Sequence, residues 1–158
     1  MHRKKTSLII PVFNGEKTLE RALNSILNQK VKPDEVLIIN DSSTDKTLTI
    51  IKNWVDKLPI NFHSNKLNMG VPYSLRKGIL LSSGDIILRL DADDEWETDH
   101  LQSLLSLIEK NKNSKLFASK AQYIEVKKNI YKSSKALNNE IIRAKLLWDN
   151  PIVHSSIA

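Results

Sequence analysis

At 158 residues the chain is long enough for one domain with a real core and too short for two. Its 41% hydrophobic and 27% charged residues are those of an ordinary globular protein, and the absence of cysteine excludes disulfides and thiolate metal sites. The net charge of +6 is concentrated late: residues 110–158 carry 10 Lys and Arg against 3 Asp and Glu. That reads as a lysine-coated solvent face, without the interleaved aromatics that a single-strand nucleic-acid groove requires.

The longest apolar runs, such as Leu8 to Phe13, are too short to cross a bilayer. The basic start, Met1-His-Arg-Lys-Lys, leads into an apolar stretch that breaks at Asn14-Gly15-Glu16, so no export signal is read. Short β-like runs alternate with amphipathic helices, which predicts an α/β fold with a largely parallel sheet. Ser7 to Val12 is apolar almost throughout, as in a strand covered on both faces. Leu19, Ala22, Leu23, Ile26 and Leu27 then make one helical stripe. A turn at Pro33-Asp34 precedes a strand over Glu35 to Asn40. The next helix is expected to carry Leu48, Ile51, Trp54, Val55 and Leu58 on one side and to close at Pro59.

A short strand near Ile60 to His63 and a polar loop to Gly70 come next, then a helix over Val71 to Ser82 stopped by Ser83-Gly84. Ile86 to Leu90 is a strand that runs into Asp91-Ala92-Asp93-Asp94, and Leu101, Leu104, Leu105 and Ile108 form another buried helix face. Leu116 to Ala118, Gln122 to Val126 and Ile130-Tyr131 read as further strands, with a turn at Lys127-Lys128-Asn129. Ile141 to Trp148 reads as a helix.

Ligands of an open α/β sheet bind outside the carboxyl ends of its strands. Three polar clusters fall there: Phe13-Asn14-Gly15, Asn40 to Asp45, and Asp91 to Asp94. Asp91 and Asp93 lie two apart, so in extended backbone they share a face, and oxygen ligands of this kind suit Mg²⁺ or Mn²⁺ with substrate phosphates completing the shell. Glu95, Glu97 and Asp99 are explained instead as acids of a helix start. Ser42, Ser43 and Thr44 have the chemistry of helix N-caps. Asp41 is open to a second role, accepting from a nucleobase ring N–H. Phe13 is either core or a platform for a base, and periodicity alone favours core.

Taken in order, Ser7-Leu-Ile-Ile-Pro-Val-Phe-Asn14, Glu35-Val-Leu-Ile-Ile-Asn-Asp-Ser-Ser-Thr-Asp45, Asn68-Met-Gly70 with Arg76, Gly84-Asp85 and Leu90-Asp-Ala-Asp-Asp94 resemble the family 2 glycosyltransferases of the GT-A fold over nearly the whole chain. The resemblance implies a Rossmann-like three-layer sandwich with a mostly parallel central sheet. It implies one domain over 1–158, with 1–112 as the nucleotide-sugar-binding half and 113–158 as the start of an acceptor-side half. It assigns Pro11, Val12, Phe13, Asn14, Asp41, Arg76 and Asp91 to the nucleotide and Asp93 to a Mn²⁺ or Mg²⁺ ion bridging the diphosphate.

The implied chemistry is inverting transfer from a nucleotide sugar, with a UDP-sugar expected, to a saccharide or lipid-linked acceptor in bacterial surface-polysaccharide synthesis. The implied setting is cytoplasmic, without nucleic acid, and it leaves open peripheral association with the inner membrane and a homo-oligomer. Asn40, Ser42 and Lys77 stand where the family frequently has Asp, Gly and Asn. Family members continue past the segment resembling Asn150 to Ser156 with an acidic motif that supplies the general base, so the base is expected beyond Ala158 and the chain is expected to be truncated before it. The alternative reading is a non-catalytic nucleotide-sugar-binding module or an inactive fragment of such an enzyme. A dehydrogenase is disfavoured, since no Gly-x-Gly-x-x-Gly follows the first strand.

Overall fold

The computed structural model describes residues 3–119, 122–125, 130–133, 155, 157 and 158. Its elements in chain order are β1 (Thr6–Val12), α1 (Leu19–Leu27), β2 (Glu35–Asn40), α2 (Thr47–Trp54), β3 (Ile60–Ser64), α3 (Val71–Leu81), β4 (Ile86–Arg89), α4 (His100–Lys110), β5 (Gln122–Glu125) and β6 (Ile130–Ser133). The first four strands form a parallel sheet in the order β3-β2-β1-β4, and β5 and β6 make a separate antiparallel pair. This is the α/β, GT-A-like architecture that the sequence predicts.

Alternation along the strands divides the core into two layers, because successive side chains point to opposite faces. Leu8, Ile10, Val12, Val36, Ile38 and Leu88 meet the apolar stripes of α1, α2 and α4 on one face. Ile9, Leu37 and Ile39 point to the other, where Leu75 of α3 packs on them. Burying each such side chain contributes roughly 1.5–3 kcal/mol, which is why the middles of these strands are apolar and their polar residues, such as Thr6, Ser7, Glu35 and Asn40, stand at the ends. A Cβ on Gly78 would stand 2.5 Å from Ile9 Cγ2, so α3 lies too close to β1 for any larger residue there.

The chain builds outward from β1 to β3, then crosses back through α3 to place β4 on the far side of β1. The reversal falls between β1 and β4, and that switch point is where open α/β sheets hold their ligands.

Several local expectations are corrected. α2 stops at Trp54 and continues only as turns, with the Leu58 N–H donating to Trp54 O at 3.3 Å. Pro59 disfavours helical backbone at Leu58, although Leu58 itself is buried as expected. The N-cap of α2 is Lys46, without a side-chain cap bond, and not Ser42, Ser43 or Thr44; the Thr47 N–H donates to Asp45 Oδ1 at 2.9 Å. Gly84 lies against β1, where a Cβ would meet Ser7 N at 2.7 Å, and it serves close approach rather than a left-handed helix stop. Glu95 and Glu97 precede α4, and Asp99 stands at its N-cap without a side-chain cap bond.

Leu116 to Ala118 is not a strand but an isolated antiparallel bridge, Ala118 to Ile157, with Phe117 and Ala158 exchanging backbone hydrogen bonds at 2.9 Å. Val126, the turn at Lys127-Lys128-Asn129 and the helix expected over Ile141 to Trp148 lie outside the described residues. Among the described residues no helix is long and apolar enough to cross a membrane.

Candidate functional site at the carboxyl edge of the sheet

The parallel register carries the ends of β1, β2 and β4 to one edge: Val12 pairs with Asn40, and Ile9 pairs with Arg89. The three polar clusters therefore converge as expected. Phe13 breaks the β1 pattern. It is 49% exposed, so it is not core, and it presents its ring at the switch point. Pro11 and Val12 remain buried within β1.

Asn14 takes a left-handed backbone, φ 50°, and stitches the first two loops together. Its N–H donates to Ser43 Oγ at 2.9 Å, and its Oδ1 accepts the Thr44 N–H at 2.9 Å. The Gly15 N–H donates to Thr47 Oγ1 at 2.8 Å, and the Glu16 N–H to Asp45 Oδ2 at 3.0 Å. Burial pushes the Asp45 carboxyl up, but bonds from the Thr47 hydroxyl and N–H and from the Glu16 N–H leave it below the usual carboxylate range.

Asp41 is 4% exposed. Its Oδ1 accepts from Asn65 Nδ2 at 2.7 Å and from the Met69 N–H at 2.9 Å, and its Oδ2 accepts from the Gly70 N–H at 2.7 Å. Burial raises its carboxyl, yet the Asn65 amide, the Met69 and Gly70 N–H groups and the Ser74 hydroxyl outweigh it and leave it lowered. Gly70, at φ 83°, supplies the left-handed residue that turns both N–H groups inward just before α3. Asp41 thus holds the Met69–Gly70 turn beside the β2 edge. Arg76 stands exposed on α3 and makes no hydrogen bond or ion pair among the described residues.

The β4 end is built differently. Arg89 grips Asp91 with two bonds, Nε to Oδ1 at 2.8 Å and a terminal nitrogen to Oδ2 at 3.1 Å. The Asp91 N–H donates to Ser155 Oγ at 2.9 Å, and that hydroxyl donates to Asp94 Oδ2 at 2.5 Å. Arg21 pairs with Glu95 at 2.6 Å and donates to the Asp93 carbonyl at 3.0 Å. The Asp93 carboxylate is exposed and free of partners among the described residues.

Among the described residues no three His, Cys, Asp or Glu side chains gather to hold a metal by themselves. The donor set still fits a hard divalent ion that keeps waters and phosphate oxygens in its shell, since such ions use one or two carboxylates. Behind this loop the Trp96 Nε1–H donates to the Ser155 carbonyl at 2.7 Å, and His100 stacks on the Trp96 ring at 4.6 Å. Burial holds the His100 imidazole below its usual range, partly opposed by Asp99.

Sequence reasoning missed Asn65, Ser74, Arg89 and Ser155, and it marked Lys77 only as a departure from the family pattern, without its contact to Asn65. What places each of them is a specific polar partner, two positions away for Arg89 and 61 or 64 positions away for Ser155, and no periodic pattern names that partner.

Comparison with known proteins agrees with this geometry. The family model described as glycosyl transferase family 2 matches residues 7–158. An uncharacterized glycosyltransferase of Haemophilus influenzae is 31% identical over 153 residues, covering 96% of this chain and 45% of the relative. An amylovoran biosynthesis glycosyltransferase of Erwinia amylovora is 34% identical, over 66% of this chain and 36% of its own. The crystal structure of S. aureus TarS residues 1–349 in complex with UDP-GlcNAc superposes with a TM-score of 0.64 at 29% identity, over 68% of this chain and 32% of that one. The chain spans less than half the length of these relatives.

Proposed function

The chain belongs to the glycosyl transferase family 2, and from that premise we propose that it holds a nucleoside diphosphate-sugar, a UDP-sugar first, at the carboxyl edge of β1, β2 and β4. The observation that carries this reading is an exposed aromatic ring, Phe13, beside the hydrogen-bonded Asp41 turn, with the free carboxylate of Asp93 on the same sheet edge. Phe13 supplies a face for the base, while Pro11, Val12 and Asn14 set the backbone behind it. Asp41 offers its remaining accepting capacity to the base edge and keeps the Met69–Gly70 turn in place. Arg76 closes the same side, and Asp91, oriented by Arg89, meets the ribose.

Asp93 is the residue that would hold a Mn²⁺ or Mg²⁺ ion together with the diphosphate. Bound there, such an ion neutralises the charge that builds on the departing nucleoside diphosphate. In the whole protein an acceptor hydroxyl, saccharide or lipid-linked, attacks the anomeric carbon from the opposite side, with inversion. Its proton goes to a general base that is not assigned to any of the described residues.

Residues 1–112 serve as the nucleotide-sugar half and 113–158 begin the acceptor-side half. Surface-polysaccharide synthesis in the cytoplasm, with peripheral association at the inner membrane or self-association, is the corresponding cellular setting. Calorimetric titration with UDP, GDP and CDP, each with Mn²⁺ or with chelator, tests the reading. UDP bound more tightly than GDP, and more tightly with Mn²⁺, supports it; no binding of any of the three overturns it. Acceptor-dependent release of UDP by a longer version, absent from the 158-residue chain, separates an enzyme from a binding module.

A further inference from the structure

The Asp41 turn depends on a residue outside it. Lys77 Nζ donates to Asn65 Oδ1 at 2.9 Å, while Asn65 Nδ2 donates to Asp41 Oδ1 at 2.7 Å and to Ser74 Oγ at 3.1 Å. A carboxamide can turn over by half a rotation, exchanging its donor and acceptor sides. Here the two neighbours admit one orientation only: an ammonium can only donate, and a carboxylate can only accept. The Asn65 side chain is buried and its own N–H is fixed to Asn40 O at 2.8 Å, so the side chain has little room to find other partners. With Lys77 gone, Oδ1 loses its donor and Asp41 is left as the charged group that selects the orientation of the amide, so the amide is held from one side instead of two. Reversed, the amide would set oxygen against carboxylate.

We propose that Lys77 is a positioning residue of the pocket: through Asn65 it holds the Asp41 carboxylate, and with it the Met69–Gly70 turn, in the geometry that receives the nucleobase. The proposal rests on the reading of this edge as a nucleotide site. A lysine that had merely found a convenient acceptor would leave both the amide and the base preference unchanged on removal.

The experiment uses the full chain with Lys77→Met and Lys77→Arg, each also in an Asn65→Ala background, or Asn65→Ser if the alanine variant does not fold. Titration of UDP with Mn²⁺ should show Lys77→Met weakening affinity on the order of tenfold, because a buried polar group loses its partner. Lys77→Arg should recover most of that loss. In the Asn65-deleted background Lys77→Met should change affinity by less than about twofold, since the two act in one chain of contacts. An equal loss in both backgrounds would mean that Lys77 touches the nucleotide directly, and it would overturn the relay.

Side-chain amide NMR reads the relay without any ligand. The Asn65 NH₂ pair should give one protected set of signals in the unaltered protein and in Lys77→Arg, and a second or broadened set in Lys77→Met. Unchanged amide signals in Lys77→Met overturn the proposal. If the unaltered protein binds none of UDP, GDP or CDP, the pocket reading and the base-selecting part fall together, and the amide signals decide the relay alone.

Discussion

The β2 end and the β4 end of the same sheet are finished in opposite ways. At β2 the Asp41 carboxylate is buried and takes three hydrogen bonds from its own chain, and Asn14, Ser43 and Thr44 lock the adjoining loops. At β4 the Asp93 carboxylate is exposed and free among the described residues, and the acidic loop is steadied from outside by Arg89, Arg21 and Ser155. The difference separates two tasks. A base pocket gains from groups fixed before the ligand arrives, which lowers the ordering cost of binding. A cation and diphosphate site gains from oxygens left unpaired until they come. Substitutions at the two ends should therefore fail in different measurements.

The largest effect is expected at Asp41. Asp41→Ala strands the Asn65 amide and the Met69 and Gly70 N–H groups, and unpaired buried donors cost about 1–3 kcal/mol each before relaxation or water offsets part of it. Urea unfolding should show a loss on the order of 3 kcal/mol, together with weaker UDP binding. Full stability with lost binding would place Asp41 on the ligand alone and remove its structural half of the contrast.

Asp93→Asn should behave in the reverse way. An exposed side chain without partners contributes within about 0.5 kcal/mol to stability, so the unliganded melting temperature should hardly move. The extra stabilisation that Mn²⁺ adds to UDP binding should disappear; a ligand at a hundredfold its Kd is worth about 2.7 kcal/mol. The same Mn²⁺-dependent shift in the variant as in the unaltered protein would rule out this carboxylate as the metal's holder.

These contrasts were legible in the sequence only in part. Strand identity, sheet direction and the convergence of three clusters followed from apolar runs and their polar ends, because period and turn chemistry are local. The exposure of Phe13 did not: the strand is read to end at Val12, as it does, but an aromatic ring directly after an apolar run favours core on periodicity alone, and only the structure shows it exposed. The roles of Asn65, Ser74 and Lys77 were invisible, although Lys77 stood out as a departure from the family pattern, because each acts by a hydrogen bond to Asp41 or to Asn65, and no local pattern encodes that. Ser155 carried even less signal, standing 64 positions from the Asp91 N–H it receives. The start of α2 was assigned to the hydroxyls of Ser42, Ser43 and Thr44, whereas Lys46 is its N-cap and Asp45 takes the Thr47 N–H; Ser, Thr and Asp share that accepting chemistry and only backbone geometry chooses.

A smaller effect concerns acid. Asp41 and Asp45 are both held below their ordinary range, so the unfolded chain binds more protons than the folded one as pH falls through the unfolded value of about 3.9. The stability they contribute is present above that value and lost as pH drops through their lower folded values. Asp45→Asn should flatten this acid limb of urea-midpoint measurements while leaving Mn²⁺-dependent UDP binding unchanged. An unaltered limb would mean that Asp45 titrates alike in both states.

The smallest expected effect lies behind the β4 loop, at His100, and its sign is opposite in charge but alike in direction. Burial disfavours the imidazolium, so the folded pKa lies below the unfolded value of about 6.5. Between the two values the unfolded chain carries the extra proton, and stability rises with pH through that window and falls as acid is added. The slope cannot exceed one proton, about 1.36 kcal/mol per pH unit. Asp99 opposes the shift, the Ser119 hydroxyl lies 3.5 Å from Nδ1, and the buried Nε2 has no partner among the described residues. His100→Phe keeps a ring stacked on Trp96 and removes the titration. Unfolding midpoints measured from pH 7.5 down to 5.5 should fall less steeply in the variant. Because Trp96 also binds the Ser155 carbonyl, the same titration should loosen the clamp on Asp91 and Asp94 as His100 gains its proton. Mn²⁺-dependent UDP affinity should therefore decline over this range in the unaltered protein and decline less in His100→Phe. Parallel pH profiles for the two proteins would detach His100 from the acidic loop and leave that loop steadied by Arg89, Arg21 and Ser155 without it.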